Sequence, residues 1–333
     1  MAVYQPPYTI TPIMLNRVAE IAELLGRWSM SAECSSPLLR KENRIRTIQA
    51  SLAIEHNSLS TEQVTAIIDG KRVLAPAKDI QEVRNAILAY EKLPDWCSSR
   101  LTDLLAAHRL LMVGLVDFPG QLRQGDVGIY RENQLIHMAP PANQILRLIG
   151  DLLMWLKHTD IHPLIASSIF HYEFEFIHPF TDGNGRMGRL WQTLILSEWR
   201  PELMWLPVET LIHHQQQAYY QVLRECDRTG DCTLFIDFML EKLAEALRES
   251  LNAYQQDSVA MSVEMSVENL QPLNATSQKI LSVIALHPAI TITQLADELG
   301  VNRRTIERNI KILQDNGYLV RVGAKKGGYW RVS

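Results

Sequence analysis

Apolar residues recur at three-to-four spacing over Ile13 to Trp28, Ile80 to Leu93, Trp96 to Met112, Asn143 to Lys157 and Leu164 to Phe176. That period places them on one face of a helix, and five such faces predict a helical bundle. A helix-like stretch through Ile45 and Ile48, a proline-free segment from Arg186 to Trp199 and a closing segment from Leu234 to Ser250 extend the pattern. Asp227 to Cys232 reads as a turn before the last of these. Strand alternation is scarce before the C-terminus, the exception being Gln134 to Met138 ahead of Ala139-Pro140-Pro141. The expected fold class is mainly α.

The pattern changes twice near the end. Between Gln255 and Asn274 a degenerate four-residue repeat, Ser258-Val259-Ala260-Met261, Ser262-Val263-Glu264-Met265 and Ser266-Val267-Glu268-Asn269, reads as a linker with helical character that Pro272 ends. Beyond it, helical segments near Ser277 to Leu286, Thr293 to Leu299 and Arg303 to Asn316 precede the alternating Tyr318 to Val322, a turn over Gly323 to Gly328, and Tyr329 to Val332. This order reads as a winged helix-turn-helix, with Ala296, Gly300 and Ile306 at the spacing where such units pack a small residue, turn and bury an aliphatic one. Asn302 is placed to cap the recognition helix, leaving Arg303, Arg304, Thr305, Arg308, Asn309 and Lys311 for a DNA groove and its phosphates, with Lys325 and Lys326 on the wing. Residues 276–333 hold nine Lys or Arg against four Asp or Glu, whereas the whole chain carries a net charge of −4. Only this tail has the electrostatic footprint of a nucleic-acid binder, although winged helices also dock proteins.

A chain of 333 residues with 47% hydrophobic content exceeds one average domain and can bury a large core. The expected division is an N-terminal helical region over 1–100, a core over 101–254, the linker over 255–275 and the winged helix over 276–333. Neither a membrane-length apolar run nor a signal-peptide pattern is present, so a cytoplasmic location with no membrane partner is expected. Cys34, Cys97, Cys226 and Cys232 lack C-x-x-C spacing and are read as free thiols. His158 and His162 are four apart, but Pro163 breaks the helix that would align them for a metal. His171 is expected to be an interior, hydrogen-bonded residue.

The chemistry concentrates in His178-Pro179-Phe180-Thr181-Asp182-Gly183-Asn184-Gly185-Arg186-Met187-Gly188-Arg189. Its glycine-rich bend can expose consecutive backbone N–H groups at the start of the following helix, which makes an anion cradle. Arg186 and Arg189, three apart, share one helical face. Asp182 suits a divalent metal bridging phosphate oxygens, and His178 titrates near neutrality and can accept a hydroxyl proton. A bare Gly-x-Gly would signify only a turn; base, carboxylate and two guanidinium groups together indicate a site for a nucleotide phosphate chain.

This run resembles the Fic family motif, His-Pro-Phe-x-(Asp/Glu)-Gly-Asn-Gly-Arg-x-x-Arg, at every defined position. The resemblance implies an all-helical core that transfers AMP from ATP to a Ser, Thr or Tyr hydroxyl of a target protein. His178 would then be the general base, Asp182 would bind Mg²⁺, and Gly183, Asn184 and Gly185 would cradle phosphate. Arg186 and Arg189 would neutralise the β/γ end, and Phe180 would anchor the loop. It also implies a target-aligning β-hairpin flap, with arms Val127-Gly128-Ile129-Tyr130 and Leu135-Ile136-His137. One or both of Tyr219 and Tyr220, which follow a His- and Gln-rich helix, would contact the base or ribose.

Upstream, Ser51-Leu52-Ala53-Ile54-Glu55-His56-Asn57 resembles the family's inhibitory motif, (Ser/Thr)-x-x-x-Glu-(Gly/Asn), with His56 standing where Gly or Asn is usual. By that resemblance Glu55 reaches Arg189, within one chain or across a homodimer, and fills space needed by the γ-phosphate. The expected protein is therefore an adenylyltransferase that is mostly off. Two other readings stay open at this stage: a DNA-binding regulator with a nucleotide-sensing core, and a hydrolase removing AMP with Glu55 positioning water.

Overall fold

A computed structural model describes residues 4–29, 37–131, 134–268, 274–315, 318–322 and 329–332; the side chains of 129–137, 253–268 and 315 lie outside the description. The chain divides into two compact units, Met1–Ala253 and Tyr254–Ser333.

The first unit contains α1 (Pro12–Ser29), α2 (Pro37–Ile54), α3 (Thr61–Ile68), α4 (Ala77–Lys92) and α5 (Leu101–Met112). The antiparallel hairpin β1 (Gly128–Arg131) and β2 (Gln134–Met138) follows, then α6 (Ile145–His158), α7 (Pro163–Ile177), α8 (Asn184–Trp199), α9 (Val208–His214) and α10 (Gln216–Thr229). Helix α11 (Thr233–Glu268) begins in this unit and runs past its boundary. The segment before residue 100 shares one hydrophobic core with the rest, from Met14 and Trp28 through Phe170 and Trp191 to Leu247.

Helices α7 and α8 are central because they bury residues on all sides, as a helix enclosed by others must. Pro163 occupies the first turn of α7, where its missing N–H costs nothing, and His162 Nδ1 accepts from the Leu164 N–H at 3.2 Å. The two helices pack against each other, and the short loop between them carries the motif.

Two expected boundaries are corrected and one helix is added. Helix α5 starts at Leu101 rather than Trp96, because the backbone N–H of Ser98 donates to Glu198 Oε1 at 2.8 Å and its carbonyl accepts from Trp191 Nε1 at 2.8 Å. These tertiary bonds hold the segment out of the helix. Asp227 belongs to α10, which ends at Thr229 with Gly230 in the left-handed region at φ 65°. Helix α3, not expected from periodicity, is set by a capping box between Ser60 and Gln63.

The second unit contains α12 (Ala275–Leu286), α13 (Ile292–Leu299), α14 (Arg303–Asp315) and the antiparallel pair β3 (Leu319–Val322) and β4 (Tyr329–Val332). Its own core gathers Ile280, Ile284, Leu295, Ile306, Ile310, Leu313, Leu319 and Trp330. Gly300 terminates α13 at φ 63°, and Asn302 Oδ1 accepts from the Thr305 N–H at 2.9 Å to cap α14. Among the described residues no helix is long and apolar enough to cross a membrane.

Candidate active site

Helix α7 ends at His178, whose backbone sits in the left-handed region at φ 50°. A histidine held there is strained by about 1 kcal/mol or more, so its surroundings must impose the conformation. Arg123 does this: its Nε donates to the His178 carbonyl at 2.7 Å, its Nη2 to the Pro140 carbonyl at 2.6 Å and its own N–H to the Pro179 carbonyl at 2.9 Å. One buried guanidinium thus ties the His178 turn to the segment that follows β2. The His178 ring has Nδ1 3.3 Å from the Glu175 carbonyl.

The loop is anchored from below by Phe180, fully buried and stacked on the His108 ring at a centroid distance of 3.6 Å and an interplanar angle of 3°. His108 Nδ1 accepts from the Gly120 N–H at 2.8 Å, so the ring carries its proton on Nε2, which donates to the Asp182 carbonyl at 3.0 Å. Burial pushes the His108 pKa down to about 4, which fixes the ring as neutral. The Asn184 side chain is engaged within the loop: its amide bonds the Phe180 N–H and carbonyl, both at 2.9 Å, and closes the loop on itself.

That closure leaves the start of α8 open. Its N-cap is Gly183 at φ 84°, which supplies no capping side chain, so the first-turn N–H groups are available to an anion. A side chain at Gly183 would also meet Met112 Sδ at 2.6 Å. Asp182 lies at this mouth with its side chain 55% exposed; Oδ1 accepts from the Gly183 N–H at 2.6 Å and Arg186 Nη2 at 3.1 Å, while Oδ2 makes no hydrogen bond among the described residues. One open carboxylate oxygen beside an anion cradle fits Mg²⁺, which takes one or two carboxylates and completes its shell with phosphate oxygens and water.

Arg189 is fully buried and held by α2. Its Nε donates to Ser51 Oγ at 3.0 Å, and its Nη2 to the Ser51 carbonyl at 3.0 Å and to Glu55 Oε1 at 2.7 Å. Burial disfavours the charge on Arg189, but Glu55 together with the nearby Tyr219 and Tyr220 outweighs it and the net shift is upward. Glu55 Oε1 is 2.4 Å from where a Cβ on Gly185 would stand, so the absent side chain is the space that the carboxylate uses. His56 takes φ 67°, the left-handed conformation that Gly or Asn adopts at least cost, and ends α2 in the expected geometry despite its side chain.

The remaining expectations divide. His171 is interior, with Nδ1 2.7 Å from Gln192 Oε1 and Nε2 3.1 Å from the Tyr219 hydroxyl, and burial pushes its pKa down to about 3. Tyr219 is built into the core against Phe235 and His171, leaving Tyr220 as the partly exposed member of the pair. Leu135, Ile136 and His137 lie on β2, paired with β1; their side chains lie outside the description. On α14, Arg303, Arg304, Arg308 and Lys311 are exposed and Thr305 half-buried. Asn309 is corrected: it is buried, accepting from Ser277 Oγ at 2.8 Å and donating to the Thr305 carbonyl at 2.8 Å, so it braces the module. Cys34, Lys325 and Lys326 lie outside the described residues.

Sequence reasoning missed Arg123 and His108. Each acts through backbone carbonyls, and no local spacing announces that. For His108 alone a signal existed, as a polar residue among Leu104, Ala107 and Leu111 on the apolar face of α5.

A sequence profile of the Fic/DOC family matches residues 97–196, and an HTH domain profile matches residues 276–330. The crystal structure of a Fic family protein from Desulfovibrio desulfuricans G20 is 49% identical with a TM-score of 0.72, covering 99% of this chain and 98% of that one. The chain belongs to the Fic family. The protein adenylyltransferase Fic of Nematostella vectensis is 28% identical to this Fic protein over 258 residues, covering 72% of this chain and 55% of that relative. Its counterpart in Drosophila mojavensis is 26% identical over 268 residues, covering 72% and 49%. The chain spans about half the length of these curated relatives. Fic-1 from C. elegans shares the fold, with a TM-score of 0.61 at 22% identity over 74% of each chain.

Proposed function

We propose that this protein is an autoinhibited adenylyltransferase that moves AMP from ATP to a Ser, Thr or Tyr hydroxyl of a target protein. One observation carries the reading: a carboxylate, Glu55, is seated against Gly185 in the anion cradle and bonded to Arg189 at 2.7 Å. A cradle that accepts an anion from its own chain is built for one, and this occupant denies it to a phosphate.

With Glu55 withdrawn, the open N-terminus of α8 and Gly185 receive phosphate oxygens, and Arg186 and Arg189 balance their charge. His178 takes the proton of the attacking hydroxyl; the oxygen bonds to the α-phosphorus, and pyrophosphate leaves on the opposite side. Asp182 would hold Mg²⁺, which would neutralise charge on the phosphate chain. Strands β1 and β2 offer main-chain pairing to an extended target segment, a mode that aligns a peptide without reading its sequence. Tyr220 is proposed at the adenosine end, and exposed Arg303, Arg304, Arg308 and Lys311 of α14 are proposed to contact DNA.

Intact-mass spectrometry of wild type, Glu55→Gly and Glu55→Gly/His178→Ala with Mg²⁺ and ATP, alone and in host lysate, tests this. The expected result is an AMP adduct in the Glu55→Gly sample only. Equal adducts with wild type would overturn autoinhibition, and AMP released from a pre-modified target would reassign the site to hydrolysis.

A further inference from the structure

Glu82 of α4 belongs to neither motif, yet it is buried between them, 5% exposed. Its Oε1 accepts from Arg186 Nη1 at 3.1 Å and its Oε2 from Asn57 Nδ2 at 2.8 Å. Arg186 is similarly buried; its Nη2 is on Asp182 Oδ1 at 3.1 Å and its Nε has no hydrogen-bond partner among the described residues. Asn57 follows Glu55 by two residues, and it also donates to the Asp79 carbonyl at 3.2 Å and accepts from the Leu59 N–H at 3.1 Å. A continuous chain of polar contacts therefore runs from the end of the inhibitory helix to the metal carboxylate: Asn57, Glu82, Arg186, Asp182.

We propose that Glu82 is the positioning residue for Arg186 and, through Asn57, a second latch between the inhibitory segment and the nucleotide cradle. This rests on the reading of the site as an inhibited AMP transferase. A buried ion pair gains little for stability, because desolvating two charges offsets most of their attraction. A role in placing charge accounts better for this one. In the inhibited state Glu82 divides its oxygens between Asn57 and Arg186, and Arg186 divides its nitrogens between Glu82 and Asp182. That division keeps a guanidinium charge paired with the Asp182 carboxylate through Oδ1, which also accepts the Gly183 N–H.

Glu55 and Asn57 lie two residues apart just past the end of α2, so withdrawal of Glu55 by movement of that segment takes Asn57 from Glu82. The freed Oε2 is a buried anionic acceptor that must find a donor. Arg186 supplies one by turning both outer nitrogens to Glu82 in the bidentate geometry that guanidinium and carboxylate favour. Its Nη2 then leaves Asp182, whose Oδ1 keeps only the Gly183 N–H, so the carboxylate offers a cation its full charge at the open Oδ2. Helix release and preparation of the metal carboxylate become one event, with Glu82 the shared element.

The test uses the full chain, with Mg²⁺·ATP binding by calorimetry and AMP transfer by intact mass. Asn57→Ala with Glu55 intact is expected to tighten Mg²⁺·ATP binding about tenfold, the worth of one hydrogen bond to a buried charge. In the Glu55→Gly background, where the carboxylate is gone but the Asn57–Glu82 bond is not thereby broken, the same change is expected to tighten binding further by a similar factor. Glu82→Gln in that background is expected to raise the Mg²⁺ concentration for half-maximal transfer and the KM for ATP by about tenfold each, with kcat held within about threefold. Glu82→Asp is expected to recover part of both. Asn57→Asp, which retains the acceptor for the Leu59 N–H, is a second way to open the latch and guards against a folding failure in Asn57→Ala. Melting curves that shift while Mg²⁺ and ATP dependence stay at their parental values would overturn the proposal and leave Glu82 a structural residue. Failure of the parent reading is distinguishable: Glu55→Gly would then bind Mg²⁺·ATP without forming an adduct, and the binding arms would still decide on Glu82.

Discussion

Arg186 and Arg189 on α8 and Arg304 and Arg308 on α14 are two pairs of the same residue at helical spacing, placed in opposite surroundings. The first pair is buried and bonded to carboxylates just past α2, on α4 and in the motif loop; the second stands in solvent on the helix expected to meet DNA. A buried guanidinium must be matched almost atom for atom, so its partners fix where it points and can withhold it from a ligand. An exposed one is screened and mobile, and contributes mainly through the summed field of its neighbours. Interior charges in this protein are thus suited to switching, and surface charges to attraction.

The sharpest way to break the comparison is acid. Burial holds the folded-state pKa of His108 at about 4 and of His171 at about 3, below the ordinary value of about 6.5. The unfolded chain therefore takes up these protons first. Stability is complete above pH 6.5 and is lost as pH falls toward the folded values, by about 2 kcal/mol per histidine at pH 5. Urea unfolding of the first unit at pH 7 and pH 5 is expected to show a loss near 4 kcal/mol with uptake of about two protons. A pH-independent midpoint would place both rings in contact with water.

A smaller effect is expected at His56, whose backbone is strained in the left-handed region. His56→Gly is expected to stabilise the end of α2 by about 1 kcal/mol, raising the melting temperature by about 2–4 °C, and to lower residual AMP transfer by holding Glu55 more firmly. A fall in melting temperature would show that the His56 side chain contributes more than its backbone costs. Least affected in stability is the exposed pair. Arg304→Ala and Arg308→Ala are each expected to change it by less than about 0.5 kcal/mol while reducing the salt dependence of DNA binding by about one unit. Unchanged binding at low salt would reassign α14 to protein docking.

Much of this was legible along the chain. Helix periodicity located most elements, because an amphipathic face is a local property. The motif from His178 to Arg189 could be named as the candidate site, because its histidine, glycine-rich bend and two arginines lie within one loop and the first turns of a helix. The serine and glutamate of the inhibitory motif could be named from their spacing on α2. The start of α5 was misplaced because Glu198 and Trp191, about a hundred residues away, hold Ser98 out of the helix. Asn309 looked available to DNA because its contact with Ser277 crosses between helices.

The sequence by itself therefore determined which chemical groups are present and which of them share a turn of backbone. Only the tertiary structure decided which oxygen each arginine faces, that Tyr219 belongs to the core, and that Arg123 holds His178 in a strained turn. It alone brought Glu82 to Arg186 and Asn57. The reason is that a buried charge must be satisfied by whatever the packing of separate helices delivers to it. That partner is chosen by distance in space, which no spacing along the chain encodes.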